Sequence, residues 1–287
     1  MNVPETENTR NEGIGPTEGP PGLERGMEHV FLAPHLDDVV LSCGGQIWQL
    51  TRRGQKPWVI TVFAGLPETG AEAFPFARYQ HRLWGTPPLP VELRRAEDVT
   101  ACVRLGVLPE RVIHLDFPDA VYRHTRDGHP LYSSDEAIFG ALHPADRGLS
   151  RHVADALTPY VGGQDVLLVA PAGVGRHVDH QIVRRAAEHV EALGARLVLY
   201  EELPYAEEPE SFAHGPVEGW HPCHVPLREG DMAAKIRAAL YYQTQIPVLY
   251  GDALALGERL RGHAARHAPP GVLYVERRWS RNPGGEK

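Results

Sequence analysis

The chain has 287 residues, a length typical of one large domain or two small ones. Its 29 Lys and Arg against 37 Asp and Glu give a net charge of −8, which argues against a general nucleic-acid-binding protein, because such proteins neutralise phosphates with a basic face. Three cysteines are too few for a disulfide framework or a four-thiolate zinc site, so a bound metal must be held by carboxylates and by some of the 16 histidines.

The first segment of the chain differs in composition from the rest. Residues 1–27 are polar, acidic and rich in Pro and Gly, without the basic start and apolar centre of a signal peptide. We expect a disordered leader there, followed by one domain over residues 28–287. No apolar run approaches the roughly 20 residues needed to span a bilayer. The sequence therefore predicts a cytoplasmic protein that has no membrane partner.

Apolar strand-like runs alternate with helical patterns along the domain. The predicted strands are His29–Ala33, Trp58–Phe63, Val112–Leu115, Val166–Ala170, Arg196–Tyr200 and Val272–Glu276. The predicted helices are Val39–Gly54, Val91–Leu105, His152–Tyr160, Gln181–Leu193, Met232–Gln243 and Ala253–His263. Long loops are predicted between Leu66 and Pro90 and between Asp116 and Leu149. This alternation predicts a Rossmann-like α/β domain, with a mostly parallel sheet sandwiched by helices and long active-site loops.

Two polar segments follow predicted strands. Pro34 to Asp38 (PHLDD) comes directly after the first strand, and His177 to His180 (HVDH) follows the fourth strand at the start of a helix. Because ligands bind at the carboxyl ends of parallel strands, folding is expected to bring both segments to one edge of the sheet. One carboxylate and two imidazoles around an open position form the ligand set of a catalytic Zn²⁺ or of a non-haem Fe²⁺.

Each segment also has an ordinary structural interpretation. An Asp pair after a strand is typical of a solvated turn or of a helix N-terminus, where carboxylates interact favourably with the helix dipole. Two histidines three residues apart arise easily in a chain with 16 of them. The HPCH sequence at 221–224 has similar spacing but lies in a predicted loop rich in Gly and Pro. The two strand-end segments together favour a metal site.

The sequence resembles the PIG-L/LmbE-like family of metal-dependent N-deacetylases over about residues 28–279. That family carries a His-Pro-Asp-Asp-Glu segment followed by two glycines, and a later His-x-Asp-His segment. The matches here are PHLDD, Gly44 with Gly45, and HVDH. The resemblance implies that the zinc ligands are His35, Asp38 and His180. It also implies that Asp37 is the general base and that His177 assists the tetrahedral intermediate and the leaving group. Arg94 matches a family arginine that touches the substrate.

Three positions depart from the family pattern. Leu36 replaces a proline that only stiffens the loop, and Val39 replaces a glutamate that is neither ligand nor base. Gly175 stands where some members have a tyrosine, which leaves oxyanion stabilisation to the metal, to His177 or to an unassigned group.

Amide chemistry is consistent with these roles. Zinc polarises the carbonyl and lowers the pKa of bound water to about 7. A carboxylate beside that water, such as Asp37, can take its proton and deliver it to the leaving nitrogen. Asp179 could orient His177 or cap the helix that it precedes. Three residues after the third strand, Asp119, Tyr122 and Arg123, are predicted to contact the substrate.

The predicted function is removal of an acetyl group from an N-acetylated amino sugar, of the N-acetylglucosamine type or a conjugate of one, by a metal-activated water. Zn²⁺ is the expected cofactor, and Fe²⁺ fits the same ligands. One alternative is an amidase that cleaves a larger acyl group or a thiol conjugate. Another is an inactive sugar-binding module on the same scaffold. By resemblance, a homo-oligomer is expected.

Overall fold

A computed structural model describes residues 26–85, 90–161, 165–208 and 219–281, and within them seven strands form one sheet. The strands are β1 (Glu28–Ala33), β2 (Trp58–Thr61), β3 (Val112–His114), β4 (Val166–Pro171), β5 (Arg196–Tyr200), β6 (His221–Leu227) and β7 (Tyr274–Ser280). Their order is β3-β2-β1-β4-β5-β7-β6, with the first five parallel and β7 antiparallel to both of its neighbours. Residues 1–25 of the predicted leader lie outside the described residues.

Helices cover both faces of this sheet. They are α1 (Asp38–Arg52), α2 (Pro75–Leu83), α3 (Pro90–Arg104), α4 (Asp135–Ile138), α5 (Leu149–Val161), α6 (Val178–Glu191), α7 (Glu229–Ala239), α8 (Ile246–Leu249) and α9 (Ala253–Arg266). Helix α7 packs on α1, α3 and α9, and α5 packs on α6. Because successive strand residues point to opposite faces, the complete burial of β4 requires covered faces on both sides. The predicted α/β fold is confirmed.

Several predicted boundaries were wrong. The segment that includes His221–His224 was predicted as a loop, but it belongs to β6, an edge strand paired with β7. Pro222 and Pro226 interrupt its apolar pattern, and edge strands tolerate proline because their N–H groups need no partner. The last strand is Tyr274–Ser280 rather than Val272–Glu276. The predicted loop from Leu66 to Pro90 contains the helix α2. The sequence pattern did not indicate this helix, because only two of its residues are buried.

The two glycines of α1 permit a close contact between α1 and the C-terminal part of the chain. A Cβ at Gly45 would lie 2.5 Å from Leu227 Cδ1, and one at Gly44 would lie 3.0 Å from Lys235 Cγ. The backbone N–H of Gly45 also donates a hydrogen bond of 2.8 Å to the Glu276 carboxylate, which pairs with Lys235 Nζ at 2.9 Å. Side chains at these positions would push α1 away from this buried ion pair.

One buried histidine makes the fold sensitive to acid. His29 lies in β1, its Nε2 has no hydrogen-bond partner among the described residues, and burial together with Arg278 lowers its pKa from 6.5 to about 4. Between those two values the unfolded chain binds a proton that the native state excludes, so the free energy of unfolding decreases as the pH falls. The free energy of unfolding of the wild type therefore decreases between pH 7 and pH 4. We expect His29→Gln to make that decrease smaller by about 2–3 kcal/mol.

Urea denaturation at both pH values measures this difference. His189→Gln, at an exposed position of α6, is the control and should keep the wild-type pH dependence. An equal loss of stability in wild type and His29→Gln would contradict the assignment to His29.

Among the helices of the described residues, none is both long enough and apolar enough to cross a membrane.

Candidate active site

The two polar segments meet at the carboxyl edge of the sheet. Strands β1 and β4 are parallel neighbours, with Glu28 in register with Val166. The chain leaves β1 through residues 34–37 and enters α1 at Asp38, and it leaves β4 through a turn and enters α6 at Val178. The structure therefore brings the two segments together, as predicted.

Three buried atoms converge at this edge. His35 Nδ1 lies 3.3 Å and His180 Nε2 lies 3.4 Å from the same oxygen, Asp38 Oδ2. For ligand bonds of about 2.0–2.1 Å, a tetrahedral ion would hold its ligand atoms about 3.3–3.4 Å apart. The Nε2 atom of His180 is fully buried and makes no well-formed hydrogen bond with any described residue. A nitrogen in this state, facing a carboxylate, fits a divalent cation between the three side chains.

Each of these two imidazoles contacts a second carboxylate through its other ring nitrogen. His35 Nε2 lies 3.0 Å from Asp179 Oδ2, and His180 Nδ1 lies 3.1 Å from Glu202 Oε1. Histidines that bind metals usually donate their other ring N–H to a carboxylate or carbonyl, which fixes the ring orientation. The distances here leave His35 Nδ1 and His180 Nε2 facing Asp38. The pattern of hydrogen bonds thus agrees with the convergence of the three atoms.

The electrostatics of the cluster favour a positive charge at this point. Burial acts to raise the pKa of Asp38, but His180 and His35 hold that pKa well below its usual range. Burial acts to lower the pKa of His180, but Asp38 and Glu202 raise it to about 9. The surrounding carboxylates therefore attract either a proton or a metal cation.

Asp37 lies beside Asp38 on the wall of the same cavity. Its carboxyl group is buried, and burial together with the charge of Asp38 raises its pKa to about 6. Arg94 Nη2 lies 3.9 Å from Asp37 Oδ1, while the guanidinium carbon of Arg94 lies 4.8 Å from the ring centre of Trp84. A carboxylate with a pKa near the operating pH is suited to accepting and then returning a proton.

His177 presents one ring nitrogen to the cavity. Its Nδ1 accepts a hydrogen bond of 3.2 Å from the backbone N–H of Asp179, so the neutral ring carries its proton on Nε2. Burial and the neighbouring His35 lower the pKa of His177 well below 6.5. The ring also packs edge-on against Phe139, with the ring centres 5.2 Å apart. His177 can thus donate a hydrogen bond from Nε2.

The structure corrects the prediction for Asp179. Its carboxylate contacts His35 and accepts a hydrogen bond of 3.0 Å from the backbone N–H of Ala120, whereas it was predicted to orient His177 or to cap α6. The hydrogen bond between Asp179 and the His177 ring is donated by the Asp179 backbone N–H and does not involve the carboxylate. The first turn of α6 places the carboxylate beside His35 and Ala120. The spacing of the motif does not encode this orientation.

The three residues after β3 have different positions. Asp119 lies on the cavity wall, with its Oδ2 3.7 Å from His35 Nε2. Tyr122 and Arg123, which were predicted to contact the substrate, do not line this cavity. The buried Arg123 contacts Asp179 at 2.6 Å and Asp146 at 2.9 Å. Tyr122 pairs with His81 at 2.7 Å. The tight turn Ala120–Tyr122 directs both side chains into the protein.

The cavity has a volume of about 230 Å³ and is lined by both polar and apolar side chains. Of the residues described above, those that line it are His35, Asp37, Asp38, Arg94, Trp84, Asp119, His177 and Phe139, and the other apolar lining residues include Leu83, Tyr205, Val248 and Leu249. A cavity of about 1120 Å³ lies elsewhere, between α1, β6 and α7, and contains none of the motif residues. We therefore assign the chemistry to the smaller cavity.

Gly175 and Tyr205 occupy neighbouring space at this site. A Cβ at position 175 would lie 2.9 Å from Tyr205 Cβ, and Gly175 has a φ of +76°, which favours glycine. The Tyr205 ring packs on the His180 ring, with the ring centres 5.4 Å apart. An aromatic ring therefore lines the cavity beside position 175, but it comes from a different part of the chain. Neither Tyr205 nor Glu202 was predicted from the sequence to be a site residue.

Comparisons with known proteins agree with this geometry. The family model described as GlcNAc-PI de-N-acetylase (PIG-L) matches residues 30–191. The 2′-N-acetylparomamine deacetylase of Niallia circulans is 29% identical over 238 residues, covering 78% of this chain and 82% of that protein. The 2′-N-acetylparomamine deacetylase of Streptomyces fradiae is 32% identical over 288 residues, covering 92% and 93% respectively.

Solved structures show the same relationship. The zinc-inhibited form of teicoplanin deacetylase superposes with a TM-score of 0.76 at 31% identity, covering 88% of this chain and 97% of that one. A complex of a deacetylase with teicoplanin gives a TM-score of 0.73 at 29% identity, covering 88% and 96%. The match of more than half of the chain to the family model, together with these relatives, shows that the chain belongs to the PIG-L family of de-N-acetylases.

Proposed function

We propose that this protein is a metal-dependent hydrolase that removes the acetyl group from an N-acetylated amino sugar. The observation that carries the proposal is the convergence of His35 and His180 on Asp38 at 3.3 and 3.4 Å, with Asp37 lining the same cavity as His35 and Asp38. The relatives named above, which are described as 2′-N-acetylparomamine deacetylases and as a teicoplanin deacetylase, support the substrate class.

The three converging side chains would hold the cation, and Zn²⁺ suits two imidazoles and one carboxylate, although Fe²⁺ accepts the same ligands. A bound divalent ion polarises an amide carbonyl and increases the acidity of water. The Asp37 carboxylate accepts a proton from the attacking water and delivers it to the leaving nitrogen. His177 donates a hydrogen bond from Nε2 to the oxygen on which negative charge develops.

The remaining polar groups of the cavity orient the substrate and the catalytic groups. Arg94, at 3.9 Å from Asp37, limits the rise of the Asp37 pKa and lines the same cavity. Asp119 offers a carboxylate to a sugar hydroxyl or to an ammonium group on the same wall. Arg123 supports the site indirectly, because it neutralises the buried Asp179 that orients His35.

Release of free amine tests the proposal. The purified protein is incubated with N-acetylated aminoglycoside fragments, N-acetylglucosamine glycosides and analogues with longer acyl groups, with and without a chelator. We expect amine release from acetylated sugars that the chelator abolishes and added Zn²⁺ restores. Faster release from the longer acyl groups would instead identify an amidase. Absence of release from every substrate would overturn the proposal in favour of a binding protein.

Glu202 is predicted to strengthen metal binding without touching the metal. The Glu202→Gln substitution keeps the shape of the side chain but removes the charge that supports His180 Nδ1. We expect the zinc affinity to fall by about 10–100-fold, the usual effect of losing such a partner. Competition with a chromogenic chelator measures the affinity. Glu110→Gln, at an exposed position, is the matched control. An unchanged affinity would contradict the role of Glu202.

A further inference from the structure

A second group of potential metal ligands lies near the end of β5. Glu201 follows this strand directly, His263 lies in the last turn of α9, and His267 is the residue after that helix. One ligand atom from each of the three side chains lies within 4.8 Å of the other two. The two rings are four residues apart along the helix, with their centres separated by 5.2 Å. None of the three residues lines the cavity of the proposed active site.

Two buried atoms in this group lack partners among the described residues. Glu201 Oε1 accepts a hydrogen bond of 2.8 Å from Trp279 Nε1 and lies 3.2 Å from Arg277 Nη1. These contacts orient the carboxylate so that Oε2 lies 3.9 Å from His263 Nε2. However, Oε2 itself and His263 Nδ1 make no hydrogen bond, although both side chains are more than nine-tenths buried. Buried polar atoms are nearly always paired, so the unpaired Glu201 Oε2, which faces the Nε2 of His263, indicates a missing partner at this point.

The charge state of the group suits coordination by nitrogen. Burial, and then the neighbouring His267, Lys235, Arg266 and Arg277, lower the pKa of His263 to about 3. Burial and nearby arginines also lower the pKa of His267, so both rings have a free lone pair at neutral pH. Burial raises the pKa of Glu201 to about 7, although Arg277 opposes this rise. A cation that binds Glu201 would compensate this burial of charge.

The same surroundings select the type of ion. The nearby cationic side chains would repel an ion that is held only by electrostatic attraction, so strong bonds to the imidazoles are needed. Ca²⁺ and Mg²⁺ prefer six or more oxygen ligands and would find a single carboxylate here. Two imidazoles and one carboxylate suit Zn²⁺, with the partly buried His267 providing access from solvent.

We propose that Glu201, His263 and His267 form a second Zn²⁺ site, separate from the His35, Asp38 and His180 cluster. The adjacent carboxylates Glu201 and Glu202 then serve two different sites, because Glu202 contacts His180 whereas Glu201 faces α9. An ion at the second site connects α9 to the chain segment after β5. It therefore stabilises the folded state by an amount that increases with the zinc concentration relative to the dissociation constant.

Zinc titration in an Asp38→Ala background tests this site independently of the catalytic one. Equilibrium dialysis with Zn²⁺ should give two equivalents for the wild type, one for Asp38→Ala, and none for Asp38→Ala with His267→Ala. In the Asp38→Ala protein, Zn²⁺ should also raise the thermal midpoint, and this increase should disappear when His267 is replaced. Because His267 is only partly buried, its replacement should leave the core intact, and His189→Ala in α6 is the control.

The outcomes separate the two sites. If the catalytic assignment alone is wrong, Asp38→Ala keeps two equivalents and adding His267→Ala removes one. Glu201→Gln retains the side-chain volume and should also lose the second equivalent. Absence of zinc from Asp38→Ala, or retention of its equivalent after replacement of both Glu201 and His267, would overturn the proposal.

Discussion

Replacement of Asp37 by asparagine is expected to lower kcat by about 10²–10⁴-fold without removing the metal. Asparagine has nearly the same shape as aspartate but cannot accept the proton of the attacking water. Asp37 is buried on the cavity wall with a pKa raised to about 6, and it lies outside the group that converges on Asp38 Oδ2. The substitution should therefore remove proton transfer and leave the ligand atoms in place.

Two measurements on the same preparation separate these effects. Metal analysis should give equal zinc contents for wild type and Asp37→Asn, while the amine-release assay should show the loss of turnover. Asp116→Asn is the matched control, because that carboxylate follows β3 near the same edge of the sheet but is exposed and pairs with Arg95. Turnover of Asp37→Asn within a few-fold of the wild type would exclude Asp37 as the general base.

The positions of the two motifs could be predicted because they depend on topology alone. Residues that directly follow parallel neighbours such as β1 and β4 must meet at the carboxyl edge of the sheet, whatever the details of their loops. The burial of the strands was also visible in their continuous apolar runs. By contrast, Pro222 and Pro226 concealed β6, because an edge strand needs neither a full apolar pattern nor all of its N–H groups.

The direction of individual side chains could not be predicted in the same way. Tyr122 and Arg123 follow the correct strand, but a tight turn directs them into the protein. Glu202 also follows a strand at the catalytic edge, yet the adjacent Glu201 has the same chemistry and faces α9. A pair of carboxylates does not reveal which member faces the site. Backbone direction over one or two residues decides this, and tertiary packing determines that direction.

Loss of metal from Asp38→Ala and His180→Ala is the second large effect that we expect. Asp38 Oδ2 is the atom shared by both imidazole contacts, so its removal leaves the two histidines without a common partner. His180→Ala removes the buried, unpaired Nε2 and leaves Glu202 facing an empty space. Each variant should lose one equivalent of zinc, and its turnover should fall further than the roughly 10²–10⁴-fold expected for loss of the general base.

The zinc content and amine release of these variants are compared with those of His189→Ala, which removes an exposed imidazole from the same helix as His180. That control should keep both the metal and the activity. Circular dichroism establishes whether the variants remain folded, since both substitutions remove buried polar side chains. If folded Asp38→Ala and His180→Ala retain the full zinc content of the wild type, the ion is held elsewhere. The convergence of the three side chains would then need a different explanation, such as a shared proton between His180 and Asp38.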